Sequence, residues 1–318
     1  MSSNKLEQVA NGQGSTVKDA EATPGPVNMP AFPDIRINGL PVPPQFNIKW
    51  VESMKDTVKL RPDDIWVVTY PKSGTTWTQQ IVRLIINRGK EDGLKITDAV
   101  PWVEGFTSIP AIGFKYHVDI EKMASPRAFK SHFPYGMMPC GLPSSTSGRY
   151  IHVVRNPRDV AVSFFHQYCS LPFYPHYEWE DFFEKFLKGD VDFGDYFDHV
   201  LSWWAHKDDD NVLFLKYEDM KKDLPSAVAV IAKFIGQDIS KELVEEIAHR
   251  TTFENMKKDS SANYEWRNSK LLKPTRTDFM RKGIVGDWKN YFTPEQIARL
   301  DAVYDSKLRK TGIELEFQ

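Results

Sequence analysis

Short apolar runs alternate along the chain with amphipathic stretches of longer period. Residues 65–70, Ile65-Trp66-Val67-Val68-Thr69-Tyr70, form a compact apolar run bounded by Asp63-Asp64 and Pro71. Apolarity without alternation over such a length is the mark of a parallel strand buried on both faces. The period then changes: over 76–87, Ile81, Leu84 and Ile85 fall on one face of a helix. The pattern repeats with strands at 127–130, 150–155 and 212–217, and with helices at 159–168 and 225–234. Further helical patterns fit 179–188, 196–206, 241–249 and 294–310. This alternation predicts an α/β fold of three layers with a mainly parallel central sheet. Residues from Met1 to about Pro33 are rich in Ser, Asn, Gly, Ala and Pro. So little apolar surface cannot offset the entropy of ordering, so 1–35 is expected to be a disordered tail and 36–318 the folded domain.

Composition narrows the function without naming it. The 318 residues are 41% hydrophobic and 26% charged, enough to build a sizeable core. A net charge of −2 lacks the basic excess of a general nucleic-acid binder, so no nucleic-acid partner is expected. Cys140 and Cys169 form no CxxC pair and read as reduced thiols. The sequence has no apolar run of the ~18 residues that a membrane span needs and no signal-peptide core, so the expectation is a cytoplasmic chain with no membrane partner.

Three segments have the chemistry of anion sites. Thr69-Tyr70-Pro71-Lys72-Ser73-Gly74-Thr75-Thr76-Trp77 joins the first long strand to its helix. Gly74 lets the backbone approach an anion, and the amides there point toward a helix N-terminus. Lys72 adds a point charge, and Ser73, Thr75 and Thr76 add hydroxyls. One helix end contributes only about 0.3–1 kcal/mol when exposed, so the lysine and several amides must act together. The loop is not a Walker A motif, since Lys72 precedes the glycine. Its residues alone equally allow a plain strand–turn–helix with a Ser/Thr cap. Arg155-Asn156-Pro157-Arg158-Asp159, with Ser163 one turn further in, reads as a second anion site or as a well-capped helix start. Phe279-Met280-Arg281-Lys282-Gly283 puts a basic pair beside a glycine, able to close over an anion or to form a solvated turn. Among eight histidines, His132 in Phe129-Lys130-Ser131-His132-Phe133-Pro134 follows a short strand. An unperturbed imidazole titrates near ~6.5 and suits a general base, although a lone histidine is more often a structural residue. No histidine cluster has zinc spacing, and no catalytic metal is expected.

Together these segments resemble the cytosolic sulfotransferase family, in order, from about Asn38 to Phe317. TYPKSGTTW is similar to the family's 5′-phosphosulfate loop, which assigns Lys72, Ser73, Gly74, Thr75, Thr76 and Trp77 to the nucleotide. The resemblance implies a P-loop-like core and transfer of a sulfuryl group from 3′-phosphoadenosine-5′-phosphosulfate (PAPS) to a hydroxyl or amine of a small-molecule acceptor. The product nucleotide is 3′-phosphoadenosine-5′-phosphate (PAP). It gives the 3′-phosphate to Arg155, Ser163 and the segment Phe279, Met280, Arg281, Lys282 and Gly283. The adenine side goes to Tyr217, Thr251, Phe253 and Met256. Lys130-Ser131-His132 resembles the family's Lys-Thr-His segment, implying His132 as base with Lys72 and Lys130 stabilising the leaving phosphate. Phe46, Trp102, Lys130, His132 and Phe133 would line the acceptor cleft.

Two departures stand out. Gln167 occupies a position where phenol-sulfating members often have an aromatic, so a simple apolar phenol pocket is not expected. In the segment from Lys289 to Ala298, Pro294 and Ala298 replace the Val and Glu of a motif through which family members form homodimers; a proline has no N–H for pairing across a two-fold axis, which weakens that contact. The rival readings are a catalytically silent PAPS- or PAP-binding relative acting as a regulatory module and a nucleotide kinase. His132, Lys130 and Lys72 argue against the first, and the missing Walker A motif with a second basic anion site argues against the other.

Overall fold

The computed structural model describes residues 34–105, 118–171, 174–264 and 278–317, all within one compact unit, Ala31–Gln318. The expected tail over 1–33 lies outside the described residues. They begin with a hairpin the pattern analysis does not foresee. Strand β1 (Ile35–Ile37) pairs antiparallel with β2 (Leu40–Val42) across a two-residue Asn38-Gly39 turn, a strong local hairpin signal. Its first residue, Ile35, lies opposite Val42. Helix α1 (Ile48–Thr57) is also unforeseen, because only Val51 and Met54 of its ten residues are buried and the apolar stripe is thin. Asn47 caps it, accepting from the Trp50 amide at 3.1 Å.

The alternation then unfolds as read in β3 (Ile65–Thr69), α2 (Thr75–Ile86), β4 (Ala128–Ser131), β5 (Arg149–Val154) and α4 (Pro157–Ser170), with a short unforeseen α3 (Ile96–Ala99) after α2. Next come α5 (Trp179–Leu187), α6 (Tyr196–Trp204), β6 (Val212–Lys216), α7 (Tyr217–Lys222), α8 (Leu224–Phe234), α9 (Lys241–Arg250), α10 (Phe253–Lys258) and α11 (Pro294–Lys307). Most expected boundaries move by one to three residues. The strand expected over 212–217 stops at Lys216, and Tyr217 opens a helix instead. The helix expected over 294–310 stops at Lys307. Its start is a capping box: Thr293 accepts from the Gln296 amide at 3.2 Å, Gln296 Oε1 accepts from the Thr293 amide at 3.1 Å, and Pro294 fills the first helical position.

Among the described residues the main sheet has four strands in the order β4-β3-β5-β6, all parallel. Every residue of β3 is buried, and its side chains divide by period two. Trp66 and Val68 enter one core with Phe129, Tyr150, Phe182, Trp203 and Leu300. Ile65 and Val67 enter another with Ile81, Ile151, Val228 and Ile247. A sheet covered on both faces by helices is therefore the three-layer fold that the apolar runs predict.

The sheet's starting edge is fixed by a pair of charges with no solvent exposure. Arg127 donates to both Asp64 oxygens, at 2.7 and 2.6 Å, and to the carbonyls of Ile120 and Lys59 at 3.0 and 2.8 Å. Burying two charges is costly unless the geometry is bidentate and the remaining donors are satisfied, and both conditions hold here. The clamp ties the strand entrances together and leaves their carboxyl ends free. Those ends lie side by side at Thr69, Ser131, Val154 and Lys216. Ligands of open parallel sheets collect at that edge.

Candidate active site

The loop after β3 is built to expose backbone amides. Gly74 is the N-cap of α2 with φ +110°, and it has no side chain to cap the helix. The first helical bond runs from the Thr78 amide to the Gly74 carbonyl at 3.0 Å. The amides of Gly74, Thr75, Thr76 and Trp77 thus have no backbone acceptor among the described residues, the condition of an anion cradle. A Cβ added to Gly74 would sit 2.9 Å from the Tyr217 ring, so a side chain is excluded on grounds of space as well as of φ. Lys72 is held at φ +70°. Such a conformation costs a lysine about 1–3 kcal/mol and collects at ligand clamps. The Ser73 hydroxyl is buried without a hydrogen-bond partner among the described residues.

Arg155 ties three segments into one wall. Its guanidinium donates to the Lys72 carbonyl at 3.2 Å and to the Ile284 carbonyl at 3.0 Å, and lies 4.4 Å over the Tyr217 ring. Asp159, in the first turn of α4, accepts from the amides of Gly286 and Trp288 at 2.8 and 3.1 Å. These bonds bring the basic segment from Phe279 to Gly283 onto the phosphate loop: Phe279 carries the Lys72 ammonium 4.6 Å above its ring. Gly283 lies so close to Phe253 that a Cβ there would be 2.0 Å from its ring. Arg281 and Lys282 both reach Asp287, at 2.5 and 2.6 Å. Burial pushes the Asp287 carboxyl up, but hydrogen bonds from Lys282, Arg281 and Asn290 overcome it and hold the group at about 2. Asp287 is therefore ionised and orders the basic pair.

On the flank, Trp77 and Tyr217 meet edge to face with ring centroids 5.2 Å apart. Thr251 is buried and donates to the Ile247 carbonyl at 2.8 Å, so its hydroxyl closes α9 while the residue also lines the cavity.

His132 immediately follows β4. Its Nδ1 lies 2.8 Å from the Thr69 carbonyl, an acceptor only, which fixes the proton on Nδ1 and leaves Nε2 as the basic nitrogen. The His132 amide donates to Glu104 at 3.1 Å, and its carbonyl meets His199 Nε2 at 3.0 Å. Burial first, and then the charge of Lys130, push the imidazole well below its ordinary 6.5. The ring is therefore neutral at physiological pH, the form a base needs. Burial also pushes Glu104 up to about 7, against hydrogen bonds from Ser131 and the His132 amide. The Lys130 ammonium lies 4.4 Å above the Trp102 ring, which in turn packs edge-on against His132 at 5.2 Å.

One cavity of about 250 Å³ joins these parts. Of the residues expected in the site, Lys72, Gly74, Thr75, Thr76, Trp77, Trp102, Lys130, His132, Arg155, Ser163, Tyr217, Thr251, Phe253, Met256 and the whole run from Phe279 to Gly283 line it. Ser73, Phe46 and Phe133 do not. Ser73 is fully buried within its loop, and Phe46 and Phe133 stand behind the wall. The front ring is one that sequence analysis misses: Phe193 packs on His132 at 5.2 Å, on Phe46 at 5.9 Å and on Phe133 at 5.9 Å. No regular pattern marks it, because it lies between α5 and α6 with φ +66°. Its amide donates to the Pro41 carbonyl at 2.8 Å, and Tyr70 donates to the neighbouring Gly194 carbonyl at 2.9 Å. Gln167, Leu171, Tyr174 and Asp192 also line the cavity.

The profile of the sulfotransferase domain family matches residues 62–312. This chain belongs to the sulfotransferase family. It is 38% identical to mouse "Sulfotransferase 1B1" over 284 residues, covering 87% of this chain and 93% of the relative. It is 40% identical to rabbit "Amine sulfotransferase" over 272 residues, covering 83% and 86%. Among solved structures, it superimposes on a retinol dehydratase in complex with androsterone and the inactive cofactor PAP with a TM-score of 0.74, 28% identity and 85% and 88% coverage. A mouse sulfotransferase complexed with PAP gives a TM-score of 0.68 and 34% identity over 87% and 95% of the two chains. Among the described residues no helix is long and apolar enough to cross a membrane, and no group of three or more His, Cys, Asp or Glu is arranged to hold a metal.

Proposed function

We propose that this sulfotransferase transfers a sulfuryl group from PAPS to a small-molecule acceptor without a metal, with His132 as general base. The observation that carries the reading is the bond from His132 Nδ1 to the Thr69 carbonyl at 2.8 Å. It fixes the tautomer at the junction of the phosphate loop and the aromatic cleft.

The nucleotide supplies an activated sulfuryl group, and the residues present fit it. The uncapped amides around Gly74, with Thr75 and Thr76 on the cavity wall, provide donors on the 5′ side. Arg155, Ser163, Arg281 and Lys282 line the same cavity and provide donors for a 3′-phosphate, with Trp77, Tyr217, Phe253 and Met256 available to the base. At the reacting end, His132 Nε2 accepts the proton from the acceptor hydroxyl or amine. Lys72 and Lys130 place positive charge where negative charge grows on the departing phosphate oxygen, and a cation already in position costs no reorganisation. Phe193, Trp102 and His132 form one apolar wall from which water is displaced when an acceptor enters. This arrangement also supports an active enzyme over a silent nucleotide-binding relative, since a regulatory module has no need of a neutral imidazole beside two ammonium groups.

Thermal unfolding in the presence of nucleotides tests the donor class. A ligand that binds only the folded state at 100 times its Kd stabilises by about 2.7 kcal/mol, which raises the midpoint by several degrees. PAP is expected to do so at micromolar concentration, and ATP with Mg²⁺ at the same concentration to leave the midpoint unchanged. Equal stabilisation by both would favour the kinase reading.

A further inference from the structure

The wall of the cavity includes a carboxylate that the chemistry above does not use. Asp192 lines the cavity yet is only 7% exposed. It is the neighbour of Phe193, whose ring packs on His132. Tyr174 donates its hydroxyl to Asp192 Oδ2, and the Asp192 amide donates to the Tyr168 hydroxyl at 2.7 Å. The rings of Tyr168 and Tyr174 stack at 4.0 Å, so both hydroxyls are held at the carboxylate by a rigid aromatic pair. Among the described residues no Lys, Arg or His forms an ion pair with Asp192. The lysine of the adjoining helix, Lys185, is committed to Asp190 instead.

A buried acid with two neutral donors and no cation is an unbalanced arrangement. Hydrogen bonds from phenols offset part of the cost of desolvating the charge, but only a counter-ion removes the rest. Burial pushes the carboxyl up to about 7, in keeping with that missing partner. A structural aspartate would be expected to cap a helix or pair with a base, and Asp192 does neither: the adjoining α6 is capped by Asp195. Gln167, from α4, adds a polar side chain to the lining of the cavity. The cleft is thus aromatic where it meets His132, and its lining also carries an acid and an amide.

Resting on the sulfotransferase reading, we infer that Asp192 is a cation subsite, and that the preferred acceptors are phenols or alcohols bearing a protonated amine remote from the reacting hydroxyl. The ammonium binds Asp192 and keeps its proton, with Tyr174 and Tyr168 holding the carboxylate. The hydroxyl lies at the aromatic end, where its oxygen forms the bond to sulfur, its proton passes to His132, and the bond from sulfur to the phosphate oxygen of PAPS breaks. Asp192 itself contacts no reacting atom; it sets which acceptor is taken and in which orientation.

The test uses the full chain and two matched series of acceptors: 4-(aminoalkyl)phenols with one to three methylenes, tyramine being the two-carbon member, and 4-alkylphenols of equal length. Leaving one partner of a buried charge pair unpaired corresponds to a change of about 30-fold or more. At pH 7.5 the aminoalkyl series is therefore expected to exceed its neutral counterparts by at least that factor in kcat/KM for one chain length, mostly through KM. In Asp192→Asn the ratio between the series should collapse toward one. PAP affinity, measured by calorimetry, serves as the folding control for the variant. Equal kcat/KM for the two series in the wild type overturns the inference without any variant, and so does a ratio that survives Asp192→Asn. Turnover of neither series also overturns it, while the reading of the nucleotide site is judged separately by the binding of PAP.

Discussion

Replacing His132 by Ala is expected to lower turnover by about 10²–10⁴-fold while leaving PAP affinity nearly unchanged. The His132 Nδ1 is engaged by the Thr69 carbonyl, so only Nε2 is free to move a proton, and that act belongs to the transition state alone. The loss should be smaller for acidic phenols, which need less help in losing their proton, than for aliphatic alcohols. The pH dependence has a definite sign. Burial, followed by the charge of Lys130, lowers the pKa well below 6.5, so the base is already neutral at pH 7. The acid limb of kcat/KM should therefore lie well below about 6.5. The same shift costs stability in acid: the unfolded chain takes up the proton near ~6.5 and the folded chain does not. Stability is thus lost as pH falls from that value toward the folded pKa. A His132→Ala variant with near-full turnover on an aliphatic alcohol would remove the residue from the mechanism.

The 3′-phosphate should account for the second large effect. PAP is expected to bind more tightly than adenosine 5′-phosphate by about 2–5 kcal/mol, a factor of roughly 30 to several thousand. The cations proposed for that group are partly or wholly buried: Arg155 is 9% exposed, and the Arg281 side chain 17%. Charge-assisted hydrogen bonds from such partly buried guanidinium groups to a phosphate are stronger than bonds between neutral groups, even though Arg281 already pairs with Asp287. In Arg155→Ala the advantage of PAP over adenosine 5′-phosphate should shrink, and the loss should exceed that of a surface lysine. Part of it would come from the wall itself, because Arg155 also joins the Lys72 and Ile284 carbonyls. Calorimetry showing equal affinity for the two nucleotides would sink the assignment.

Much of the core could be read from the chain because burial on two faces leaves a mark. The run from Ile65 to Thr69 is apolar throughout since both faces of β3 meet helices, and the helix after it shows the period that such packing demands. The phosphate loop was legible for a related reason: Gly74 and its neighbours are constrained by φ, by space and by charge at once. The hairpin at Ile35–Val42 and helix α1 were not, because strands of three residues and a stripe of two buried side chains give too little pattern. The acceptor cleft was the least legible part. Phe46 and Phe133 were expected to line the cleft, but which ring faces the cavity depends on loop geometry. Phe193 takes that place through a positive φ and two long-range backbone bonds that leave no periodic trace. Asp192 was invisible for the same reason. An aspartate between two helices is ordinary in sequence, and only the fold buries it against Tyr168 and Tyr174.

The central claim is sulfuryl transfer from PAPS at the His132 junction, and one measurement tests it most directly. Purified protein is incubated with PAPS labelled at sulfur and a panel of phenols, steroids, alcohols and amines, and the label is followed by chromatography. The label is expected to move to at least one acceptor with equimolar release of PAP and without added metal. Tight binding of PAP with no acceptor-dependent movement of label, across the whole panel, would contradict it and leave the protein a nucleotide-binding relative without activity.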